Sequence, residues 1–121
     1  MTRITVLRPR RSKYNAKKTI VDDIAFASKL EAGRYRQLKL LELAGQISDL
    51  TLQPKFVLQP GFTDRYGKRQ RPITYIADFQ YVEEGQEVVE DTKGYKNNAV
   101  WMIKKKMFLK RYPQYDFRII E

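Results

Sequence analysis

The segment from residue 73 to residue 94 constrains the fold of this chain most, because its pattern predicts a β-hairpin. Apolar or aromatic side chains stand at every second position from 73 to 81, which predicts a strand over 73–82 with one face towards a core. Residues 83–86 predict a turn, residues 87–93 a returning strand, and Gly94 ends that strand. Any core that this chain builds must therefore accommodate the hairpin.

The length of the turn decides which residues of the two strands face each other. A two-residue turn at Glu84-Gly85, or a four-residue turn over 83–86, places Asp78 directly opposite Asp91. A turn of three or five residues would offset this pair by one residue. Asp91 and Lys93 are two residues apart on a strand and share a face, whereas Glu90 and Thr92 face the other way.

Two carboxylates that face each other across a hairpin repel, so the pair needs an explanation. A divalent cation between Asp78 and Asp91 would resolve the repulsion, and Lys93 would add a positive donor beside it. The alternative is a salt bridge between Asp91 and Lys93 on an edge strand. The neighbouring residues are mostly apolar, which argues against a fully solvated face: Ile76, Ala77, Phe79, Val88 and Val89.

The remaining elements predict an α/β fold with a small mixed central sheet flanked by helices, in the order α-β-β-β-α-β. The first helix begins near Ser28 and ends at Gly45, and the second runs from about Asn98 to Arg111. A strand over 52–58, bent or at an edge where Pro54 lies, precedes the hairpin. A last strand is predicted over 116–120. Four residues at helical spacing in and next to the first helix are expected to face the core: Ala27, Leu30, Leu38 and Leu41.

Glu31 has two possible roles. It is the fourth residue of a capping box that starts at Ser28, where its carboxylate would bond the Ser28 backbone amide. It also lies at the border of the apolar face, from which a carboxylate could point towards the sheet.

The second helix also allows two readings. Val100, Ile103 and Met107 form one apolar stripe, which we expect in the core. Trp101, Lys105 and Phe108 fall on another side, where aromatic and basic residues would either contact DNA or a second copy, or belong to a wide buried face.

Two residue types that are absent narrow the chemistry. The 121 residues, which suit one domain, contain no cysteine and no histidine. This excludes disulfides, thiolate zinc sites, a cysteine nucleophile and a histidine general base. Any hydrolysis must use carboxylates, lysine, hydroxyls and a hard metal ion bound through oxygen.

The net charge of +10 predicts a polyanionic partner, with nucleic acid first and an anionic membrane surface second. Solubility alone is the alternative explanation. Residues 1–19 carry no acid and predict a flexible basic arm, followed by a single domain over 20–121. The candidate DNA contacts are Arg10, Arg11, Lys13, Lys17 and Lys18 in the arm, Arg65, Lys68, Arg69 and Arg71 in a loop, and Lys104 and Lys105 on the second helix.

The chain shows no sign of membrane insertion or export. No apolar run approaches the roughly 20 residues of a membrane span, and the start lacks the apolar core of a signal peptide. We therefore expect a protein of the cytoplasm that does not enter a membrane. The absence of cysteine fits a reducing compartment.

Three segments together form a recognisable pattern: the helix around Glu31, the strand around Asp78, and the sequence Val88-Val89-Glu90-Asp91-Thr92-Lys93-Gly94. They resemble the PD-(D/E)XK nuclease superfamily, and more closely a phage-borne branch that includes Holliday junction resolvases. The resemblance covers roughly residues 13 to 118. It implies a restriction-endonuclease-like core and, for a phage-encoded protein, the cytoplasm of the bacterial host.

The resemblance also implies the chemistry of a Mg²⁺-dependent endonuclease, for which Mn²⁺ is expected to substitute. Asp78 and Asp91 would bind the metal, with Glu31 and the Thr92 carbonyl completing its shell. Lys93 would activate the attacking water and stabilise charge on the phosphate. Gln53, a polar residue in a nearby strand, would contact the water or the phosphate, or is an ordinary edge-strand residue.

The function expected from this resemblance is resolution of four-way DNA junctions. Two opposed cuts suggest a homodimer with two active sites. Two alternatives remain open, namely an endonuclease with a transposon-end, mismatch-type or nonspecific target, and a basic nucleic-acid-binding module without catalysis. Acids inside a phosphate-binding surface weaken binding unless a metal neutralises them, which disfavours the second alternative.

Overall fold

A computed structural model describes residues 5–6, 18–92 and 98–121 of the chain. In chain order its elements are β1 (Thr5–Val6), β2 (Thr19–Val21), β3 (Ile24–Phe26), α1 (Lys29–Leu43), β4 (Ser48–Leu52), β5 (Lys55–Gln59), β6 (Phe62–Thr63), β7 (Arg69–Gln70), β8 (Ile73–Ile76), β9 (Phe79–Glu83), β10 (Gln86–Thr92), α2 (Ala99–Arg111) and β11 (Asp116–Ile120). Neither helix in these ranges has the length and apolar content needed to cross a bilayer.

The central sheet has the strand order β11-β10-β9-β4. β10 runs parallel to β11 and antiparallel to β9, so the sheet is mixed. The predicted α/β class with a small mixed sheet and two helices is confirmed. Smaller sheets join β1-β3-β2, β5-β8 and β6-β7.

The predicted order α-β-β-β-α-β is wrong, because strands also precede α1 and the longer predicted strands are divided. Three strands lie before α1 along the chain, and the hairpin of β6 and β7 was not predicted. The strand expected over 52–58 is two strands, β4 and β5, and the strand expected over 73–82 is β8 and β9. Most of the expected basic arm at 1–19 lies outside the described residues, although Thr5–Val6 pair with β3.

The hairpin of β9 and β10 has the register expected from a two-residue turn. Glu83 pairs with Gln86 at the turn, and Phe79 pairs with Glu90 at the far end. Glu84 and Gly85 have φ angles of 50° and 78°, as a type I′ turn requires at both central positions. This register places Asp78 and Asp91 at the next step beyond the last pair.

Two strands bend together where β4 meets β5 and where β8 meets β9. The Gln53 N–H donates to the Asp78 carbonyl at 3.0 Å, and the Ala77 N–H donates to the Pro54 carbonyl at 3.1 Å. The backbone groups at the bend therefore satisfy each other, which buried backbone requires.

The central sheet has a core on each face, and the bend lets the chain that runs from β8 into β9 contribute side chains to both cores. Phe79 and Val88 belong to the core beneath α1, whereas Ala77 and Val89 belong to the core beneath α2. Val88 and Val89 are neighbours on one strand and so face opposite ways. Ala77 and Phe79 would share a face in a straight strand, and the bend at Asp78 separates them.

α1 begins and ends where its sequence predicts. The Ser28 hydroxyl accepts from the Glu31 N–H at 3.1 Å, and Gly45 follows the last turn with φ 75°. The Gly45 N–H donates to the Glu42 carbonyl and the Gln46 N–H to the Leu41 carbonyl, which is a Schellman motif. Of the four predicted core residues only Leu38 is buried, while Ala27, Leu30 and Leu41 are half-buried.

The core stripe predicted for α2 is correct at Met107, which packs partly buried against the core beneath α2, and wrong at Val100 and Ile103, which are 61% and 59% exposed. Trp101 and Phe108 are buried, as expected from the alternative of a wide buried face. Phe108 packs against five aromatic side chains of the core beneath α2, namely Phe56, Tyr75, Tyr112, Tyr115 and Phe117. Burying these large rings removes more apolar surface from water than burying Val100 and Ile103 would.

The turn of the hairpin predicts two substitutions of opposite sign. Glu84→Asn should stabilise the protein by about 1 kcal/mol, because asparagine tolerates the left-handed conformation better than glutamate. Gly85→Ala should destabilise it by about 1 kcal/mol, because alanine, unlike glycine, is strained in the left-handed conformation. Urea unfolding measures both changes, with the exposed strand residue Glu87→Asn as the control. Equal effects of Glu84→Asn and Glu87→Asn would contradict this account of the turn.

Candidate functional site

Asp78 and Asp91 lie next to each other across the hairpin, at the bend. The Asp78 N–H donates to the Glu90 carbonyl at 3.1 Å, and Asp78 Oδ2 accepts from the Thr92 N–H and the Thr92 Oγ1, both at 2.7 Å. These bonds reach the residues on either side of Asp91, so the two acids are neighbours. Both are buried.

Two aromatic residues orient the carboxylate of Asp91. Asp91 Oδ2 accepts from the Tyr75 hydroxyl at 2.6 Å and from the Trp101 Nε1–H at 3.1 Å. Tyr75 reaches it from β8 and Trp101 from the first turn of α2, where Asn98 caps the helix. Neither residue was predicted from the sequence to belong to this site. The one available signal was the position of Trp101 at the start of the helix that follows β10.

The donor chemistry around this pair suits a hard cation, although the described side chains form no complete metal cage. Carboxylate and carbonyl oxygens are the ligands that Mg²⁺ and Mn²⁺ prefer. No group of three or more acidic side chains close enough to hold an ion occurs among residues 18–92 and 98–121. The expected cluster of Glu31, Asp78 and Asp91 is therefore not assembled there as a three-carboxylate cage, and the adjacent pair is Asp78 and Asp91.

Glu31 is buried, and its carboxylate bonds the chain just before α1. Its Oε2 accepts from the Ala27 N–H at 3.1 Å, whereas the predicted capping box would use the N–H of the N-cap residue Ser28. Because Ala27 precedes that N-cap, this bond fixes the chain that enters the helix. A role of Glu31 in binding metal stays a prediction.

Gln53 lies at the bend, and its N–H bonds the Asp78 carbonyl. It is half-buried and has a φ of 49°, a conformation that costs energy for a residue other than glycine. The prediction that it belongs to a strand is wrong, because it lies between the end of β4 and the start of β5, and contact of its side chain with water or phosphate stays a prediction. Lys93 lies outside the described residues.

The predicted DNA contacts fall into three groups. Arg10, Arg11, Lys13 and Lys17 lie outside the described residues, and Lys18 is exposed. Exposed side chains on and beside the β6–β7 hairpin include Arg65, Lys68, Arg69 and Arg71. On α2, Lys104 and Lys105 are half-buried, and the Lys105 Nζ lies 5.4 Å from the centre of the Trp101 ring. Lys105 is thus close to the residue that orients Asp91.

Glu90 faces the opposite side of the sheet from Asp91, as the hairpin predicted. Its carboxylate accepts two bonds from the Arg34 guanidinium, at 2.8 and 2.6 Å, and a third from the Tyr81 hydroxyl. Burial and this bond to Glu90 raise the pKa of Tyr81 to about 12, and the Glu90 bond raises the pKa of Arg34. Glu90 therefore joins α1 to β10.

One comparison with known proteins defines the family. The chain belongs to a family described as a protein of unknown function, DUF1064, whose model matches residues 11–120. No curated protein and no solved structure matches the chain. The family match spans the hairpin, the bend and both helices, so the acidic pair and its aromatic neighbours all lie within it.

The ion pair between Arg34 and Glu90 predicts a large loss of stability when the arginine is removed. Arg34→Met should lower the free energy of unfolding by about 3 kcal/mol, because Glu90 would remain buried without its cation. Arg36→Met, two residues along the same helix and exposed, should change it by less than about 0.5 kcal/mol. Urea unfolding measures the free energy of unfolding of both variants. Similar losses in the two variants would show that the ion pair between Arg34 and Glu90 adds no stability beyond that of an exposed arginine.

Proposed function

We propose that this protein is a metal-dependent DNA endonuclease that acts on branched DNA, most specifically a Holliday junction resolvase with a restriction-endonuclease-like core. The observation that carries the proposal is the buried pair Asp78 and Asp91, adjacent across the hairpin and each oriented by two hydrogen bonds. The resemblance of the segments around Glu31, Asp78 and Asp91 to the PD-(D/E)XK superfamily supports it.

The roles of the residues follow from their positions. Asp78 and Asp91 would hold Mg²⁺ or Mn²⁺, which supplies a nucleophilic water at neutral pH and polarises the phosphate. Tyr75 and Trp101 orient Asp91, and Thr92 orients Asp78. The Thr92 carbonyl would complete the metal shell, with Glu31 acting through water, and Lys93, which follows Thr92 in the chain, would stabilise charge on the phosphate.

The charge of the protein supports a DNA substrate. The net charge of +10 attracts phosphate backbones, and the exposed basic residues on and beside the β6–β7 hairpin would contact them. Cleavage of a four-way junction needs two opposed cuts, for which a homodimer would supply two sites. We propose that this activity takes place in the cytoplasm, which for a phage-encoded protein is the cytoplasm of the bacterial host.

Removing either carboxylate should abolish cleavage without abolishing DNA binding. Labelled four-way junction, linear duplex and single strand are each incubated with Mg²⁺, Mn²⁺ or EDTA. Wild-type protein should cut the junction with either metal and not in EDTA, while Asp78→Asn and Asp91→Asn should lose at least about 100-fold in rate, since each removes a metal ligand. Both variants should bind DNA as tightly as wild type or more tightly, because each removes a negative charge.

The matched control for these variants is Glu87→Gln, which makes the same change of charge at an exposed position of β10. It should cleave at the wild-type rate, whereas Glu90 is unsuitable because of its buried ion pair. Near-wild-type cleavage by either aspartate variant would refute the site. Equal cutting of all substrates would favour a nonspecific nuclease, and binding without cutting would favour a basic binding module.

Glu31→Gln separates the two roles of Glu31. Glutamine still offers an oxygen to the Ala27 N–H, so unfolding stability should stay within about 1 kcal/mol of wild type. If Glu31 completes the metal shell, the variant should cleave junctions at least about 10-fold more slowly and need more Mg²⁺. Wild-type cleavage by a stable variant would reduce Glu31 to a helix cap.

A further inference from the structure

Tyr66 lies at the tip of the β6–β7 hairpin with 85% of its surface exposed. No other large apolar or aromatic side chain in the described ranges exposes a greater fraction. Tyrosines usually bury the face of the ring and expose only the hydroxyl. The exposed ring of Tyr66 therefore contributes nothing to the cores of this protein.

The tip that carries Tyr66 is a well-defined turn rather than a loose loop. Asp64 Oδ1 accepts from the Tyr66 N–H at 2.9 Å and from the Lys68 N–H at 3.0 Å, while its Oδ2 accepts from the Gln70 side chain at 3.0 Å. The Gly67 N–H donates to the Asp64 carbonyl at 3.0 Å, and Gly67 has a φ of 80°. This type I turn followed by a left-handed glycine holds Tyr66 at the point farthest along the hairpin.

The base of the hairpin is also closely packed. A Cβ atom at Gly61 would lie 2.8 Å from Arg69 Nη2, 3.1 Å from the Gln70 carbonyl oxygen and 3.2 Å from Pro72 Cδ. A side chain at residue 61 would displace the Arg69 guanidinium and press on the Gln70 carbonyl and Pro72, so glycine fits this position best.

The surroundings of Tyr66 are strongly basic. The Arg65 guanidinium lies 5.6 Å from the centre of the Tyr66 ring, and three further exposed cations stand along the hairpin, at Lys68, Arg69 and Arg71. The nearby carboxylate of Asp64 is occupied by the three bonds of the turn. An exposed aromatic ring flanked by cations matches the two parts of a nucleotide, a flat base and an anionic phosphate.

We infer that the tip of the β6–β7 hairpin binds unpaired bases of DNA, with Tyr66 stacking on a base and the basic residues contacting the neighbouring phosphates. Continuous duplex offers no base face to an aromatic ring, because each base is already stacked between its neighbours. Branch points, bulges and single strands do offer one. This inference rests on the proposed function in taking DNA as the partner, and it names the DNA feature that the protein recognises.

Binding without cleavage tests this inference. Fluorescence anisotropy in EDTA compares two duplexes of equal length, one intact and one with an unpaired central bulge, together with a single strand. Tyr66→Ala should bind the bulged duplex and the single strand about 5- to 100-fold more weakly than wild type, which is what one stacked base contributes. Its affinity for the intact duplex should change less than about two-fold, and Tyr66→Phe should bind all three like wild type.

Stacking of a base on Tyr66 can be detected by fluorescence, and a control variant and thermal unfolding accompany that measurement. A 2-aminopurine base in the bulge should change its fluorescence on binding wild-type protein and Tyr66→Phe, but not on binding Tyr66→Ala. Leu43→Ala, at a site 82% exposed on α1, should bind every DNA like wild type. Thermal unfolding of each variant should match wild type.

Three results would overturn the inference: unchanged binding by Tyr66→Ala, equal weakening on bulged and intact duplex, or no DNA binding by wild type. The proposed nuclease activity fails separately. If the protein cleaves DNA but Tyr66→Ala binds DNA like wild type, only the stacking role of Tyr66 is wrong. If bases stack on Tyr66 but no DNA is cleaved in Mg²⁺, only the proposed nuclease activity is wrong.

Discussion

The rest of the structure depends on the paired bend at Gln53-Pro54 and Ala77-Asp78. Two strands turn together, and two backbone hydrogen bonds across the bend replace those that the turn would otherwise lose. The turn moves alternate side chains from one face of the central sheet to the other. One pair of strands thereby contributes Phe79 to the core beneath α1 and Ala77 to the core beneath α2.

The candidate site lies at the end of β10, next to the bend. Glu90, Asp91 and Thr92 are consecutive and buried, and each has a different partner: Arg34 and Tyr81 on one face, Tyr75 and Trp101 on the other, and Asp78 at the bend. Buried charges are costly unless they are paired or hydrogen-bonded. The ion pair of Glu90 with Arg34 fixes the end of β10, and the bonds from Thr92 to Asp78 hold Asp78 beside Asp91.

The sequence predicted what local chemistry determines. The Glu84-Gly85 turn set the hairpin register and hence the meeting of Asp78 with Asp91, and Ser28 and Asn98 set the starts of the helices. It predicted a bend or an edge at Pro54, but not the matching bend at Asp78, because apolar side chains continue to alternate from Tyr75 to Phe79 while Ala77 and Phe79 enter different cores. Nor could it predict that Trp101 faces Asp91, since the rotation of α2 is decided by the aromatic core that it covers.

The proposed function requires that Asp78 and Asp91 share a divalent cation. Anomalous scattering from crystals of the protein grown with Mn²⁺ tests this directly. We expect a peak about 2.1 Å from a carboxylate oxygen of each aspartate, with the Tyr75 and Trp101 bonds to Asp91 retained. A structure in which Mn²⁺ binds elsewhere, or in which neither aspartate contacts a metal at saturating Mn²⁺, would contradict it.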